Sequence, residues 1–412
     1  MNNSRSKQSL IKLFLFIYWL LLFMPLAIEH YAPQAETVAI ILRSPIFIIA
    51  LSGVIGNIIK EHIKKTYLFF LIILLLWELL CVLIHTPSAM LSYLSDTFQI
   101  VEVVVILFYS IKLYGIKGLM PLYHVSVFYI LISFAIMVLY PNGLFISNAA
   151  SSVERAQWLF GSKNNIGIYI VTFTIIIIIV RTSRSTLSNM FTYFMVLLSF
   201  ICVSFAGENS VGFMTGSSTG IIMCALLILT ASFSNKRLLC SGKRMIISSN
   251  RIIIIILVAN VILLGGLSIS YFNDFVVNVF NKSDSFSGRI YVWKSALNYI
   301  SVSPITGHGI TRIVFYGNSL TSTYNVFLGL MKSYGIPSAI LTIEAIHRLK
   351  PSPGRNVQIA LIGLLICLMN GLMSQVHLKF IVFYMTLIYL FYELETQESK
   401  ESVNTSDISV DT

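Results

Sequence analysis

Long apolar runs separated by short polar stretches organise this chain almost from end to end. A helix needs roughly 17–25 apolar residues to cross a bilayer, and runs of that length predict about twelve spans. They lie near residues 11–28, 38–59, 67–85, 98–114, 119–140, 165–180, 187–205, 217–233, 252–272, 323–346, 357–373 and 378–393. The run at 98–114 carries Glu102, and the run at 165–180 is short. The expected fold is therefore all-α, a polytopic membrane protein with residues 1–393 as one integral membrane domain. Residues 394–412 are polar and acidic without an apolar period, which predicts a disordered cytoplasmic tail.

Two polar interruptions stand out, 141–164 and 273–322. In the second, Ile290, Trp293, Leu297 and Ile300 recur at spacings of three and four, one face of a helix. This predicts a short amphipathic helix over 289–300, lying along the membrane surface with Trp293 and Tyr299 in the interfacial zone; a re-entrant plug is the alternative. Ser301 to Pro304 stops the helix, and a glycine-rich turn follows through Gly307-His308-Gly309.

Composition sharpens this picture. Hydrophobic residues make up 56% of the chain and charged residues only 11%, against about 25% charged in soluble domains. A formal net charge of +11 would point to nucleic acid in a soluble chain. Here the basic residues alternate between loops: Lys60, Lys64 and Lys65, then Lys112 and Lys117, Arg181 and Arg184, Lys236 to Arg251, and Arg348 to Arg355 fall on one side. Basic loops stay cytoplasmic, so both termini are predicted inside, and no nucleic-acid partner is expected. The first apolar run is too long for a cleavable signal and lacks a cleavage site. Of the five cysteines, four lie in apolar runs and Cys240 in a basic loop, which suggests no disulfide or metal pair. Arg43, Glu78, Glu102, Lys332 and Glu344 fall inside spans, where charge is costly, and are expected to face the protein interior and pair there.

The predicted topology leaves Arg155, Lys163, Lys282, Arg289, Lys294 and Arg312 on the outer side. Helices entering from that side offer free N–H groups to anions. The candidate starts are Asn164 as a cap for the sixth span, Thr215–Gly220 for the eighth, Ser287 for the amphipathic helix and Thr323 for the tenth span. An Arg beside such a start suits a diphosphate, because the guanidinium fork matches phosphate oxygens. Arg289 is the first choice for that role and Arg155 the second, with Arg312 and Lys163 assisting. Tyr324 is a poor base, with an unperturbed pKa near roughly 10, which leaves His308, Glu208 or Asp284 if a general base is needed. His308 has the alternative of a loop hydrogen bond. Asn325 is suited to orienting a substrate hydroxyl and not to carrying protons. Neither a HExxH motif, a paired-carboxylate motif nor a P-loop occurs in an outer segment, so no metal or other cofactor is expected.

Several of these residues resemble a known family. Ser287-Gly288-Arg289, Trp293 and Ser303-Pro304-Ile-Thr-Gly307-His308-Gly309 look like the hallmark region of the O-antigen ligase and O-antigen polymerase superfamily. Tyr324-Asn325-Val-Phe-Leu328 followed by Gly335-Ile336 resembles its His-Asn-x-x-Leu motif and following Gly-Ile. Arg155 with Gly161 to Asn165 resembles its Arg and Gly-x-x-x-Asn outer loop. Tyr324 stands where the family's ligases have a His regarded as catalytic, and Ser218-Thr219-Gly220 lacks an Arg the family often shows.

The resemblance implies a metal-independent glycosyl transfer on the outer face of the bacterial cytoplasmic membrane. The donor would be a glycan on undecaprenyl diphosphate, and the acceptor a second carrier-linked repeat. Arg289, Arg155, His308, Tyr324 and Asn325 would form the catalytic set, and Lys163, Asn165, Arg312, Trp293 and Glu208 the substrate-binding set. Membrane lipid surrounds the protein, with a chain-length regulator and a flippase as candidate partners. The departure at Tyr324 favours a repeat-unit polymerase for O-antigen or capsule over a ligase acting on lipid A core or protein. A lipid-linked oligosaccharide flippase or exporter is the reading from another class; it would call for internal repeats, and no convincing repeat is seen.

Overall fold

One helix, Lys163–Val180, is apolar all round and buried on every side, with Ile170, Phe173, Ile175, Ile176 and Ile177 fully enclosed. A helix with no polar face must be wrapped by others, and this one packs among Met120–Leu139, Thr186–Phe205 and Arg355–Gly371. The computed structural model describes residues 2–57, 66–148, 154–181, 186–206, 222–223, 225–228, 247–266, 283–315, 318–320, 323–374 and 376–408.

In chain order the helices are α1 (Asn2–Leu22), α2 (Leu26–Tyr31), α3 (Ala35–Asn57), α4 (Tyr67–His85), α5 (Met90–Tyr114), α6 (Met120–Leu139), α7 (Lys163–Val180) and α8 (Thr186–Phe205). They continue with α9 (Ser249–Gly266), α10 (Ser283–Val302), α11 (Val326–Tyr334), α12 (Ile336–His347), α13 (Arg355–Gly371) and α14 (Leu378–Ile408). Two short antiparallel hairpins interrupt them: β1 (Phe145–Asn148) with β2 (Glu154–Gln157), and β3 (Ile313–Phe315) with β4 (Asn318–Leu320). The chain is mostly helical, as its apolar pattern predicts.

The bundle is apolar inside and out. Ile41, Leu42, Ile48 and Ile49 on α3, and Ile254, Val261 and Ile262 on α9, are exposed among the described residues, an apolar surface that water would penalise and lipid would not. Among the described residues, Ala35–Gly56, Tyr67–His85 and the combined stretch Pro87–Leu139 are long and apolar enough to cross a membrane by length and composition, and shorter apolar helices accompany them. The chain is a helical membrane protein.

The predicted run at 11–28 ends at Leu22, with α2 beginning after Pro25, and three further elements differ from the sequence reading. The apolar run at 323–346 is two helices, not one. Gly335, at φ 78° and ψ 172°, breaks it, in a backbone region open essentially to glycine alone. Pro337, which lacks an N–H, then opens α12. The amphipathic helix begins at Ser283, so Ser287 lies within it and does not cap it. Helix α14 continues to Ile408, past Tyr392 and into the stretch read above as a tail.

The expected pairing of intramembrane charges is seen at Arg43, whose Nε lies 3.2 Å from Glu102 Oε1. The Tyr18 hydroxyl donates to the same oxygen at 3.0 Å. Glu344 instead pairs with Arg348 one turn on, at 2.7 Å.

Candidate functional site

The site is assembled around the two ends of α11, which is only nine residues long. At about 1.5 Å per residue it covers a little under half the thickness of a bilayer core. Its ends, not its length, give it a purpose.

At the N-terminal end, Asn325 is the cap. Its Oδ1 accepts from the backbone N–H of Phe327 at 3.0 Å and of Leu328 at 3.1 Å, satisfying two donors that a helix start leaves open. Its Nδ2 donates to Asn260 Oδ1 at 2.9 Å, and Asn260 donates in turn to Ile256 O within α9 at 3.2 Å. The amide of Asn325 is thus committed at both atoms and buried at 1% exposure. The residue expected to meet a substrate hydroxyl here holds α11 to α9. Thr323, expected as the cap, instead donates from Oγ1 to Asn325 O at 2.6 Å.

Tyr324 lies between these two anchored residues with φ at +53°. A bulky residue in the left-handed region costs energy and persists only where its surroundings over-determine it. The surroundings are visible. Trp293, 1% exposed, donates from its indole nitrogen to Thr323 O at 2.9 Å. One turn earlier on the same face of α10, Arg289 places its guanidinium carbon 5.5 Å from the centroid of the Tyr324 ring, within cation–π range. The i, i+4 pair on α10 therefore does two jobs: Trp293 fixes the backbone at residue 323, and Arg289 takes the face of residue 324.

The buried face of α10 is Val292, Trp293, Ala296 and Ile300, packed against Ile313 and Leu328. It is rotated from the face predicted by hydrophobicity, and Leu297 is 43% exposed. Ala296 takes the inward position, where a small side chain lets α10 approach α11 closely. Trp293, expected at the interface with substrate, is a core residue with a positioning hydrogen bond.

The C-terminal end of α11 is treated differently. A helix end leaves carbonyls open, and here the turn after α10 fills them. His308 N donates to Lys332 O at 3.0 Å, and Gly309 N to Ser333 O at 2.8 Å. Trp77 Nε1 from α4 donates to Tyr334 O at 2.8 Å. Across the break, Ile336 N donates to Pro304 O at 2.8 Å. The fit is close: a Cβ on Gly307 would fall 2.5 Å from the backbone of Ser333, and one on Gly335 would fall 1.8 Å from Ile305 O. The buried Lys332 amine reaches back to Thr311 O, and Thr86 Oγ1 accepts from Ile310 N at 3.1 Å.

His308 sits inside this clamp. Its Nε2 lies 2.8 Å from Tyr299 O; a carbonyl only accepts, so Nε2 carries the proton and donates. That is the loop hydrogen bond weighed above as the alternative to a general base. His85 joins the same turn through Nε2, 2.9 Å from Thr306 Oγ1.

The remaining candidates are spread out. Arg312 is exposed just past the clamp. Arg155 lies on β2 opposite Ser147, in a hairpin that docks on α2 through Ala27 N to Leu159 O at 3.1 Å and Tyr31 OH to Leu144 O at 2.6 Å. Lys163 opens α7, whose cap position is Ser162 and not Asn164. Asn165 is half-buried in its first turn. Asp284 falls in the first turn of α10. Glu208, Lys282 and the Thr215–Gly220 start lie outside the described residues. Sequence reasoning missed Asn260, Trp77 and Thr86. Asn260 had a signal, being a lone amide within an apolar run, where polar groups are costly without a partner; the other two had none.

The geometry of α9 to α12 corresponds to an interval that matches a known family. Residues 210–343 match the family model described as O-antigen ligase. The match spans about a third of the chain and supports the likeness to the O-antigen ligase and polymerase superfamily over that interval. It covers α9, α10, the clamp, α11 and much of α12, which are the parts that carry Arg289 and Tyr324. No curated protein and no solved structure matches the chain.

Proposed function

We propose that the protein is a polymerase joining carrier-linked oligosaccharide repeats on the outer face of the bacterial cytoplasmic membrane. The observation that carries this reading is Arg289 seated on the ring of Tyr324, at the start of α11, in the segment matched by the O-antigen ligase family.

In the reaction, a hydroxyl oxygen of the acceptor repeat attacks the anomeric carbon of the donor sugar. The bond from that carbon to the carrier diphosphate breaks, the diphosphate leaves with the electron pair, and the acceptor hydroxyl loses its proton. Negative charge grows on the departing diphosphate, so a fixed guanidinium stabilises the transition state more than the ground state. The contact with the Tyr324 ring holds the guanidinium at the start of α11, and its N–H groups serve phosphate oxygens. The second strand of loop chemistry, Arg155 on its hairpin, serves as a further cation for the same carriers. Tyr324 acts through its ring, and this is what separates the polymerase reading from a ligase using His at that position. The ligase reading is favoured by one observation, the family description itself.

Arg289→Ala in the native host tests all of this, with surface glycan and lipid carrier analysed together. The polymerase reading predicts surface glycan reduced to single repeats, with a rate loss of about 10²–10³. Long chains stranded on the carrier would identify a ligase. Unpolymerised repeats held on the cytoplasmic leaflet would identify a transporter. Long surface glycan at wild-type levels would contradict the whole assignment.

A further inference from the structure

Lys332 takes no part in the reaction above. It lies on α11 at 2% exposure, and its amine donates to the carbonyl of Thr311. Among the described residues no carboxylate acts on that amine. A buried ammonium resting on a neutral carbonyl is costly, and an ionisable residue kept within the membrane at such a cost points to function. The acceptor is the peptide and not the side chain, since Thr311 Oγ1 is buried without a partner among the described residues. Lys332 therefore grips the chain itself.

The next residue in the chain is Arg312, which is exposed. Its backbone is held from both sides. Before it, Thr311 N donates to Gly309 O at 2.9 Å, and Thr311 O is taken by Lys332. After it, the fully buried Ile313 shares a small core with Val292, Trp293 and Ala296 of α10 and with Leu328 of α11. Trp293 lies one turn after Arg289, and Leu328 one turn after Tyr324. Arg312 is thus carried at about one helical turn, roughly 5 Å, from the contact between those two residues. Arg155, by contrast, sits on a hairpin docked on α2. The charges agree with this grouping. No acidic residue occurs between Asp284 and Glu344, a stretch that holds Arg289, Lys294, Arg312 and Lys332.

We propose that Lys332 is a positioning residue: by holding the Thr311 carbonyl it fixes Arg312 near Arg289, so that two guanidinium groups meet one carrier diphosphate. The amine stays buried and touches no substrate, and the anion meets Arg312 at the surface. A diphosphate spreads its charge over two phosphate groups, and each can take its own guanidinium fork. Holding the backbone of Arg312 beforehand lowers the ordering cost of binding. The role of Arg289 in this pair rests on the polymerase reading; the link from Lys332 to Arg312 does not.

The test uses the full chain in phosphatidylcholine nanodiscs, titrated with farnesyl diphosphate by calorimetry, with melting followed in the same discs. Arg312→Ala and Lys332→Met are each expected to weaken binding about tenfold, the loss of one charge-assisted contact. The double variant is expected to bind no more weakly than Arg312→Ala, because Lys332 acts through Arg312. Losses that multiply in the double variant would overturn the proposal. So would a Lys332→Met protein that melts earlier yet binds as wild type, which is the mark of a purely structural lysine. Binding abolished by Arg289→Ala but untouched by Arg312→Ala would overturn the proposal and leave the Arg289 reading standing. Binding weakened by Arg312→Ala and Lys332→Met but not by Arg289→Ala would uphold the proposal and count against the Arg289 assignment. No wild-type binding would overturn both. Should Lys332→Met fail to fold, the uncharged and shorter Lys332→Gln takes its place: affinity weakened about tenfold upholds the proposal, and unchanged affinity overturns it.

Discussion

The two ends of α11 solve the same physical problem in opposite ways. Both leave backbone groups open. The N-terminal end is closed by one side chain, Asn325, and the neighbouring Tyr324 offers the face of its ring to Arg289. The C-terminal end is closed by the backbone of another segment, with His308 and Gly309 donating to Lys332 and Ser333. The glycine-rich turn closes the stretch from Arg289 to Gly309 that most resembles the family, and its role here is to hold a helix end. The candidate chemistry lies about three turns away, at a tyrosine in a strained backbone conformation.

This contrast can be broken experimentally, beginning with the clamp. Gly335→Ala places a Cβ 1.8 Å from Ile305 O in a backbone region almost closed to other residues. The expected loss exceeds about 3 kcal/mol, seen as little folded protein extracted from membranes. Normal yield and thermal stability would show that the clamp is not what shapes the break. At the other end, Asn325→Ala removes the cap and leaves the Asn260 amide without its partner. A loss of about 1–2 kcal/mol is expected, read by thermal melting in detergent. Trp293→Phe keeps the buried ring and deletes only the hydrogen bond to Thr323 O. It should cost about 1 kcal/mol and shorten the surface glycan, because Tyr324 loses one of its anchors. A shift in melting with wild-type glycan length would reduce Trp293 to a packing role.

Much of the helical pattern was legible in the sequence, because apolar run length is the signal a membrane helix needs. What escaped were features that hydropathy does not encode. The run at 323–346 reads as one span, since the conformation of Gly335 is set by contacts with Pro304 and Ile305 that lie far back in the chain. Thr323, Tyr324 and Asn325 offer two plausible caps in three residues, and the choice of Asn325 depends on Asn260 across a helix interface. On α10 the periodicity found the right element and two inward residues, Trp293 and Ile300, but it ranks Leu297 above Ala296 while packing selects the smaller residue. Arg289, Trp293 and Tyr324 were all singled out from sequence. Their division of labour was not, because it depends on an indole meeting a carbonyl thirty residues away.

The central claim is that Tyr324 works through the face of its ring, as a seat for Arg289, and not through its hydroxyl. Tyr324→Phe keeps the ring and removes the hydroxyl, while Tyr324→Ala removes both, and neither is expected to change stability by more than about 0.5–1 kcal/mol. The decisive measurement is the chain-length distribution of surface glycan in the native host carrying each variant. The account predicts near-normal long chains for Tyr324→Phe and single repeats for Tyr324→Ala. Single repeats in both would make the hydroxyl the working group and contradict it.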